Sequence, residues 1–335
     1  MIMKKKWRSL SDSAHYQRNK FLNLSATPVM AEGVSFSKLL FDYIRRPSSI
    51  TPSHALPSVQ TDLRALPGDA PVIVWFGHSS YLLHYRDTNI LVDPVFSGHA
   101  SPLPGMIKAF AGTGTYGVTD MPPLDYLLLS HNHYDHLDKK TIAALQPHTG
   151  ACYVPLGVGR DIGSPAATDL RITEMDWWET VQLPPDMQLT ATPARHFSGR
   201  GLRRATSLWA SYVLQMPGYT IFIGGDSGYD THFRDIGEKY GPFDLAILEC
   251  GQYNASWPYI HMFPEQTLQA AEDLQAKALL PVHWGKFALA NHPWNEPIRR
   301  LTSAASGSGI TVTTPLIGEP VVLGHSYPQQ QWWEF

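Results

Sequence analysis

Residues 131–136 read His-Asn-His-Tyr-Asp-His and follow directly on Asp-Tyr-Leu-Leu-Leu-Ser at 125–130. Three imidazoles and a carboxylate packed into six residues constrain this chain more than any other stretch. Imidazole is the commonest biological ligand for zinc and its neighbours, and carboxylate is the other usual donor. The apolar run 125–129 reads as a buried strand. The donors therefore sit where a strand fixes the backbone and a loop frees the side chains. They are too many for one ordinary site with an open position, and they read as contributions to two metals side by side.

Three further donors share that context. His196 follows 188–195, Asp226 follows 220–225 and His283 follows 278–282, each just past a short apolar segment. A preorganised ligand set needs rigid elements behind it, and strand ends supply them. Other strands are predicted at 72–75, 81–85, 89–92, 151–154, 188–192, 208–215, 220–223, 245–248 and 278–282. Helices are predicted at 137–145, 231–240, 264–275 and 293–305. Proline at 264 suits a first helical turn. Strands with helices between them in the second half indicate sheets covered by helices, an α/β layered architecture.

Residues 1–60 read as an arm packed on a main domain at 61–335. The arm is basic at first, then Ser- and Pro-rich, with one amphipathic helix expected within 34–44. That helix is either an anchor on the core or a surface for lipid. Lys and Arg number 26 against 29 Asp and Glu, so no global field favours nucleic acid. Two cysteines, Cys152 and Cys250, make no disulfide framework and are expected to be buried. The basic start has no apolar segment behind it that would make a secretory signal, and no apolar run is long enough to span a bilayer. The expectation is a cytoplasmic protein with peripheral membrane contact left open. No obligate protein partner is readable.

The pattern His-x-His-x-Asp-His, followed by a distant His, Asp and His at strand ends, resembles the metallo-β-lactamase superfamily over roughly residues 70–290. The resemblance implies a four-layer αββα sandwich with a metal centre at one edge between the sheets. It implies that His131, His133 and His196 hold one metal, that Asp135, His136 and His283 hold the other, and that Asp226 bridges them. The cofactors expected are two divalent metal ions. Zinc is the first choice for nitrogen and carboxylate donors, with manganese and iron open to the same set.

Trp-Phe-Gly-His-Ser-Ser at 75–80, Asp-Pro at 93–94, His-Trp-Gly-Lys at 283–286 and His-Met-Phe-Pro-Glu-Gln at 261–266 resemble the phospholipase D group that hydrolyses N-acyl-phosphatidylethanolamine. An imidazole at His133, where the oxygen-reducing diiron branch commonly has a carboxylate, favours hydrolysis. The function expected is cleavage of a small or lipid-like phosphodiester through a hydroxide shared by two metals about 3.5–4 Å apart. Asp135 and His261 are the catalytic candidates, His261 as proton donor to the leaving alkoxide. Asp93 is expected to receive the free N–H of a ligating histidine. Tyr134 orients a ligand or lines the pocket, and His78 lies near the site without ligating. Arg200, with Arg203 and Arg204, is a candidate phosphate grip. Residues 34–44 and Trp177, Trp178, Trp257 and Trp294 are candidates for a greasy surface. Two alternatives stay open: a hydrolase of esters or lactones, phosphorylated lactones included, and a metal-bound scaffold with little turnover.

Overall fold

The structure is a computed structural model that describes residues 7–103, 105–162, 170–201 and 203–334. The basic stretch at 1–6 lies outside the described residues. The arm contains a hairpin, β1 (Tyr16–Gln17) and β2 (Lys20–Phe21), and a helix α1 (Phe36–Ile44). The hairpin was not anticipated, because strands of two residues carry no periodicity.

The remaining elements are β3 (Val72–Trp75), β4 (Tyr81–Tyr85), β5 (Thr88–Val92), β6 (Leu124–Leu128), α2 (Lys139–Leu145), β7 (Thr149–Pro155), β8 (Arg171–Met175), β9 (Thr180–Leu183), β10 (Met187–Thr192), β11 (Ser211–Met216) and β12 (Tyr219–Ile223). After these come α3 (His232–Tyr240), β13 (Leu245–Glu249), α4 (Pro264–Asp273), β14 (Ala278–Val282), α5 (Glu296–Ala304), β15 (Thr311–Val312) and β16 (Pro320–Val322). The predicted strands and helices are all present, with ends shifted by at most three residues. β8, β9, β15 and β16 were not foreseen. β9 has an exposed or half-buried face at most positions, and β15 and β16 are too short to show alternation.

The two seven-stranded sheets have the orders β16-β3-β4-β5-β6-β7-β8 and β15-β14-β13-β12-β11-β10-β9. Each is antiparallel over one half and parallel over the other: β5 through β8 run parallel, as do β12 through β15. Alternation within the strands sorts side chains between layers. Ile73, Trp75, Tyr81, Leu83, Ile90 and Val92 face Leu189, Ala191, Tyr212 and Leu214 across the space between the sheets. Val72, Val74, Leu82, Leu91 and Leu127 face outward onto Leu137, Ile142 and Leu145 at α2. Burying each such aliphatic side chain contributes roughly 1.5–3 kcal/mol. On the far face, Phe233, Ile236, Leu268, Leu274, Ile298 and Leu301 from α3, α4 and α5 cover the second sheet. The result is the αββα sandwich.

The parallel halves decide where chemistry can gather. Parallel strands place their carboxyl ends on one edge of a sheet, and ligands in such sheets collect there. β5 leads to Asp93, β6 to the 131–136 loop, β12 to Asp226, β13 ends on Glu249 and β14 leads to His283.

Candidate metal centre

The 131–136 segment forms a tight loop closed by backbone bonds from His136 N and Leu137 N to His133 O, at 3.2 and 2.8 Å. α2 begins two residues later than predicted because the chain is spent on this loop. Asp138 caps the helix, accepting from Lys140 N, and its Oδ2 also accepts from Thr141 Oγ1 at 2.6 Å. Glycines let the second sheet come close: a Cβ on Gly225, whose φ is +59°, would stand 2.7 Å from Ser130 Cβ. No L side chain fits there without strain.

Ligand atoms of His131, His133, His196 and Asp226 lie within 4.8 Å of one another. A second group on the same scale joins Asp135, His136 and His283 with His78, and a third joins Asp226, Glu249, His261 and His283. Asp226 stands between the first two groups. Its Oδ2 is 3.7 Å from both His131 Nε2 and His196 Nε2 and 3.3 Å from His283 Nε2, while Oδ1 is 3.1 Å from His136 Nε2. All seven sequence-predicted ligands are thus brought together. His78 is closer than expected, with Nε2 2.9 Å from Asp135 Oδ2 and a fully buried ring.

These residues fit divalent ions. His131 Nε2 lies 2.8 Å and His196 Nε2 3.2 Å from His133 Nδ1, so three ring nitrogens converge on one point. His136 Nε2 and Asp226 Oδ1 are buried without a hydrogen bond. Burial, then the neighbouring imidazoles His136 and His133, hold His131 well below the usual histidine range, so its lone pair is free. Burial lowers His133 to about 4. Burial alone would raise the Asp226 carboxyl, but His136 and His283 outweigh it and keep it ionised. Burial also opposes a proton on His283, yet Asp226, Asp135 and Glu249 push this imidazole up to about 10. The carboxylates are thus balanced by protons on the rings, the position a cation would take.

The outer contacts set the tautomers. His136 Nδ1 donates to Asp93 Oδ2 at 2.7 Å, and the same carboxylate accepts from Ser130 N at 2.8 Å and Ser130 Oγ at 2.6 Å. This is the contact expected of Asp93. His196 Nδ1 donates to Ile260 O at 2.8 Å. Glu249, fully buried, takes His261 Nδ1 at 2.8 Å and lies 3.3 Å from His283 Nδ1, while its Oε1 accepts from Ser227 N. In His136, His196 and His283 the nitrogen turned to the centre is Nε2. Glu249 was missed, although a carboxylate ending the apolar strand 245–248 repeats the signal that marked Asp226.

Asn23 was missed too, and nothing in the sequence links it to the site. Its side chain donates from Nδ2 to His196 O at 2.8 Å and accepts from His196 N and Trp209 Nε1, each at 3.1 Å. Tyr134 points away from the ligands: its Oη donates to Arg200 O at 2.9 Å. Arg200 differs from expectation. Its Nη1 donates to Leu137 O at 2.6 Å and Asn132 O at 3.0 Å, and its guanidinium stacks 4.0 Å from the Tyr134 ring centre. The open carbonyls of the ligand loop hold Nη1, so Arg200 braces that loop, and it does not line the cavity that opens on the centre.

A cavity of about 210 Å³ opens on the centre, lined by His133, Asp135, His196, Asp226 and His261 together with Gln252 and the apolar Phe197, Trp257, Ile260 and Leu289. Trp257 is therefore at the pocket. Trp177 is in the core, and Trp294 stacks on Trp284 and Trp332 away from it. Cys152 and Cys250 are both buried.

Comparison with known proteins agrees with this geometry. Residues 88–284 match the family described as the beta-lactamase superfamily domain. An uncharacterized protein of Mycobacterium tuberculosis is 36% identical over 332 residues, 97% of this chain and 89% of that protein. The mitochondrial N-acyl-phosphatidylethanolamine-hydrolyzing phospholipase D of Saccharomyces cerevisiae is 35% identical over 248 residues, 70% of this chain and 52% of its own length. The solved structure of Igni18, a metallo hydrolase from Ignicoccus hospitalis, superposes with a TM-score of 0.58 at 19% identity, over 77% of this chain and 100% of that one. Fold, converging donors and relatives agree: the chain belongs to the metallo-β-lactamase superfamily, with relatives of the N-acyl-phosphatidylethanolamine phospholipase D kind, and is a metal-dependent hydrolase.

Proposed function

We propose that the centre cleaves a phosphodiester in the manner of a phospholipase D, on an N-acyl-phosphatidylethanolamine-like or related substrate. The observation that carries this reading is His261. Its Nδ1–H is held by Glu249 at 2.8 Å, and its ring lines the cavity with His133, Asp135 and Asp226. A departing alkoxide needs a proton at the moment of cleavage, and His261 gives it as an imidazolium, its Nδ1–H kept on Glu249 and its Nε2–H passed to the alkoxide, which leaves a neutral ring. Asp226 and Asp135 supply the negative charge that holds the ions in place. When bound, divalent ions lower the pKa of water and polarise a phosphoryl oxygen. Zinc is the ion proposed, since the converging donors among the described residues are nitrogens and carboxylates with no thiolate.

The cavity size supports a phosphate with a small adjoining group; acyl chains of a lipid would lie outside it. α1 stands beside that mouth, because Arg46 just after it donates to Leu289 O at 2.8 Å and to Asn291 Oδ1 at 2.7 Å. Phe41, Tyr43 and Ile44 on α1 are exposed. They are the proposed place for peripheral contact with lipid.

The test is turnover by the zinc-loaded protein of a chromogenic phosphodiester, a lactone and a β-lactam. Turnover of the phosphodiester that is lost in His261→Ala supports the reading. Turnover of the lactone alone would replace it with ester hydrolysis. No turnover at full metal content would replace it with a scaffold role.

A further inference from the structure

The arginines first considered as a phosphate grip part company in the structure. Arg200 braces the ligand loop through Nη1, but Arg203 and Arg204 line a separate cleft with Arg18 and Lys20 of the arm. Tyr16, Asn19 and Thr206 complete the lining, and the cleft encloses about 730 Å³. Among the described residues, no carboxylate lines it. None of the four cations makes an ion pair among the described residues, although acidic residues outnumber basic ones by 29 to 26 in the whole chain. Like charges gathered in this way repel one another unless an anion sits among them.

The two walls are fixed to one another. Phe21, 2% exposed, donates its backbone N–H to Ala205 O at 2.9 Å, and its ring packs on Tyr16 at 4.9 Å. The hairpin turn holds Arg18 at φ +50° and Asn19 at φ +62°. A turn with both central residues left-handed normally takes Asn, Asp or Gly. This chain keeps an arginine at the first position, at some conformational expense, and that arginine reaches the cleft. The cleft also adjoins the metal cavity. The Arg204 guanidinium lies 5.3 Å from the centre of the Phe197 ring, and that ring meets His133 edge-on at 4.7 Å and lines the cavity.

We propose that this cleft is an anion subsite for a phosphate-type group, one aromatic ring away from the metal centre. Guanidinium forks match phosphate oxygens in pairs, and arginines from two separate segments of chain line the one cleft. In the hydrolytic reaction the subsite holds a second anionic group of the substrate, or a neighbouring anionic headgroup. That assignment rests on the phosphodiester reading; the binding itself does not.

The test is binding, not turnover. Metal-loaded full-length protein is titrated calorimetrically with glycerol 3-phosphate, and separately with phosphatidylcholine vesicles with and without phosphatidic acid. Arg18→Gln/Arg203→Gln, with unchanged metal content and melting temperature, weakens at least one of these interactions about tenfold or more and flattens its salt dependence. Weakening with glycerol 3-phosphate identifies soluble phosphate esters as the source. Weakening with the phosphatidic acid vesicles alone identifies the lipid headgroup. Equal affinities of the wild type and the variant for both probes would overturn the subsite. A subsite that binds while no phosphodiester turns over would leave this inference standing and remove the reading of the reaction.

Discussion

Glu249 Oε2 accepts the Nδ1 proton of His261 at 2.8 Å. The same oxygen lies 3.3 Å from Nδ1 of His283, so one buried carboxylate holds the proposed proton donor by a hydrogen bond and stands in charge contact with a proposed metal ligand. Neither contact is visible from spacing, because residues 249, 261 and 283 lie on separate elements.

The first expectation concerns that pair. His261→Ala should lower kcat about 10²-fold or more while metal content holds. Glu249→Gln keeps the shape and removes the charge, so it should reduce both kcat and metal retention. Steady-state kinetics with elemental analysis checks both. Full kcat in the His261→Ala protein would withdraw its role.

Asp93 is the second case. It ties His136 Nδ1 to Ser130 at the end of β6. Asp93→Asn should weaken metal binding about 10–100-fold. Competitive titration against a chelator should show two ions per wild-type chain, one of them preferentially lost in the variant.

Metal binding should strengthen as pH rises. Burial disfavours a charge on His283, but Asp226, Asp135 and Glu249 override it and lift the group to about 10. In His136, too, the effect of burial is outweighed by Asp226, Asp135 and Asp93. Both rings carry protons in the metal-free protein near neutrality and must lose them to coordinate. Titration in buffers of different ionisation enthalpy should therefore record proton release on loading. Loading without release would contradict this protonation.

Asn23 predicts an effect of the arm on the centre. Asn23→Ala removes three hydrogen bonds that hold the His196 backbone and Trp209. A loss of about 1–3 kcal/mol in unfolding free energy is expected, together with weaker metal retention. Denaturant melts with and without chelator separate the two effects.

Lys286 gives a stability test away from the ions. Its buried ammonium donates to Phe76 O and Val95 O, both at 3.0 Å, and burial lowers its pKa to about 8. Lys286→Met leaves two buried carbonyls unpaired and should destabilise by about 2–3 kcal/mol. Equal melting temperatures would show that the carbonyls find other partners.

The strands and the ligands were legible because both depend on local patterns. The runs 72–75, 126–129 and 278–282 are apolar on both faces and only four or five residues long, which suits buried strands. His131, His133, Asp135 and His136 announce themselves by density, and His196, Asp226 and His283 by position after such runs. Short edge strands such as β15 and β16 left no pattern, and the β1–β2 hairpin left none either.

By itself the sequence determined which metal-type donors follow apolar segments, that short strands carry them and that helices must cover the sheets, since donor type and apolar patterning are properties of the chain. Tertiary structure decided the rest. It placed His78 within reach of Asp135, joined His261 and His283 through Glu249, and brought Asn23 from the arm to His196. It also turned Arg200 to the carbonyls of the ligand loop while Arg203 and Arg204 met Arg18 and Lys20 across a cleft. The reason is common to all of these. A hydrogen bond or a charge contact depends on which segments the parallel strand ends bring to one edge, and neighbours in space at that edge are distant in the chain.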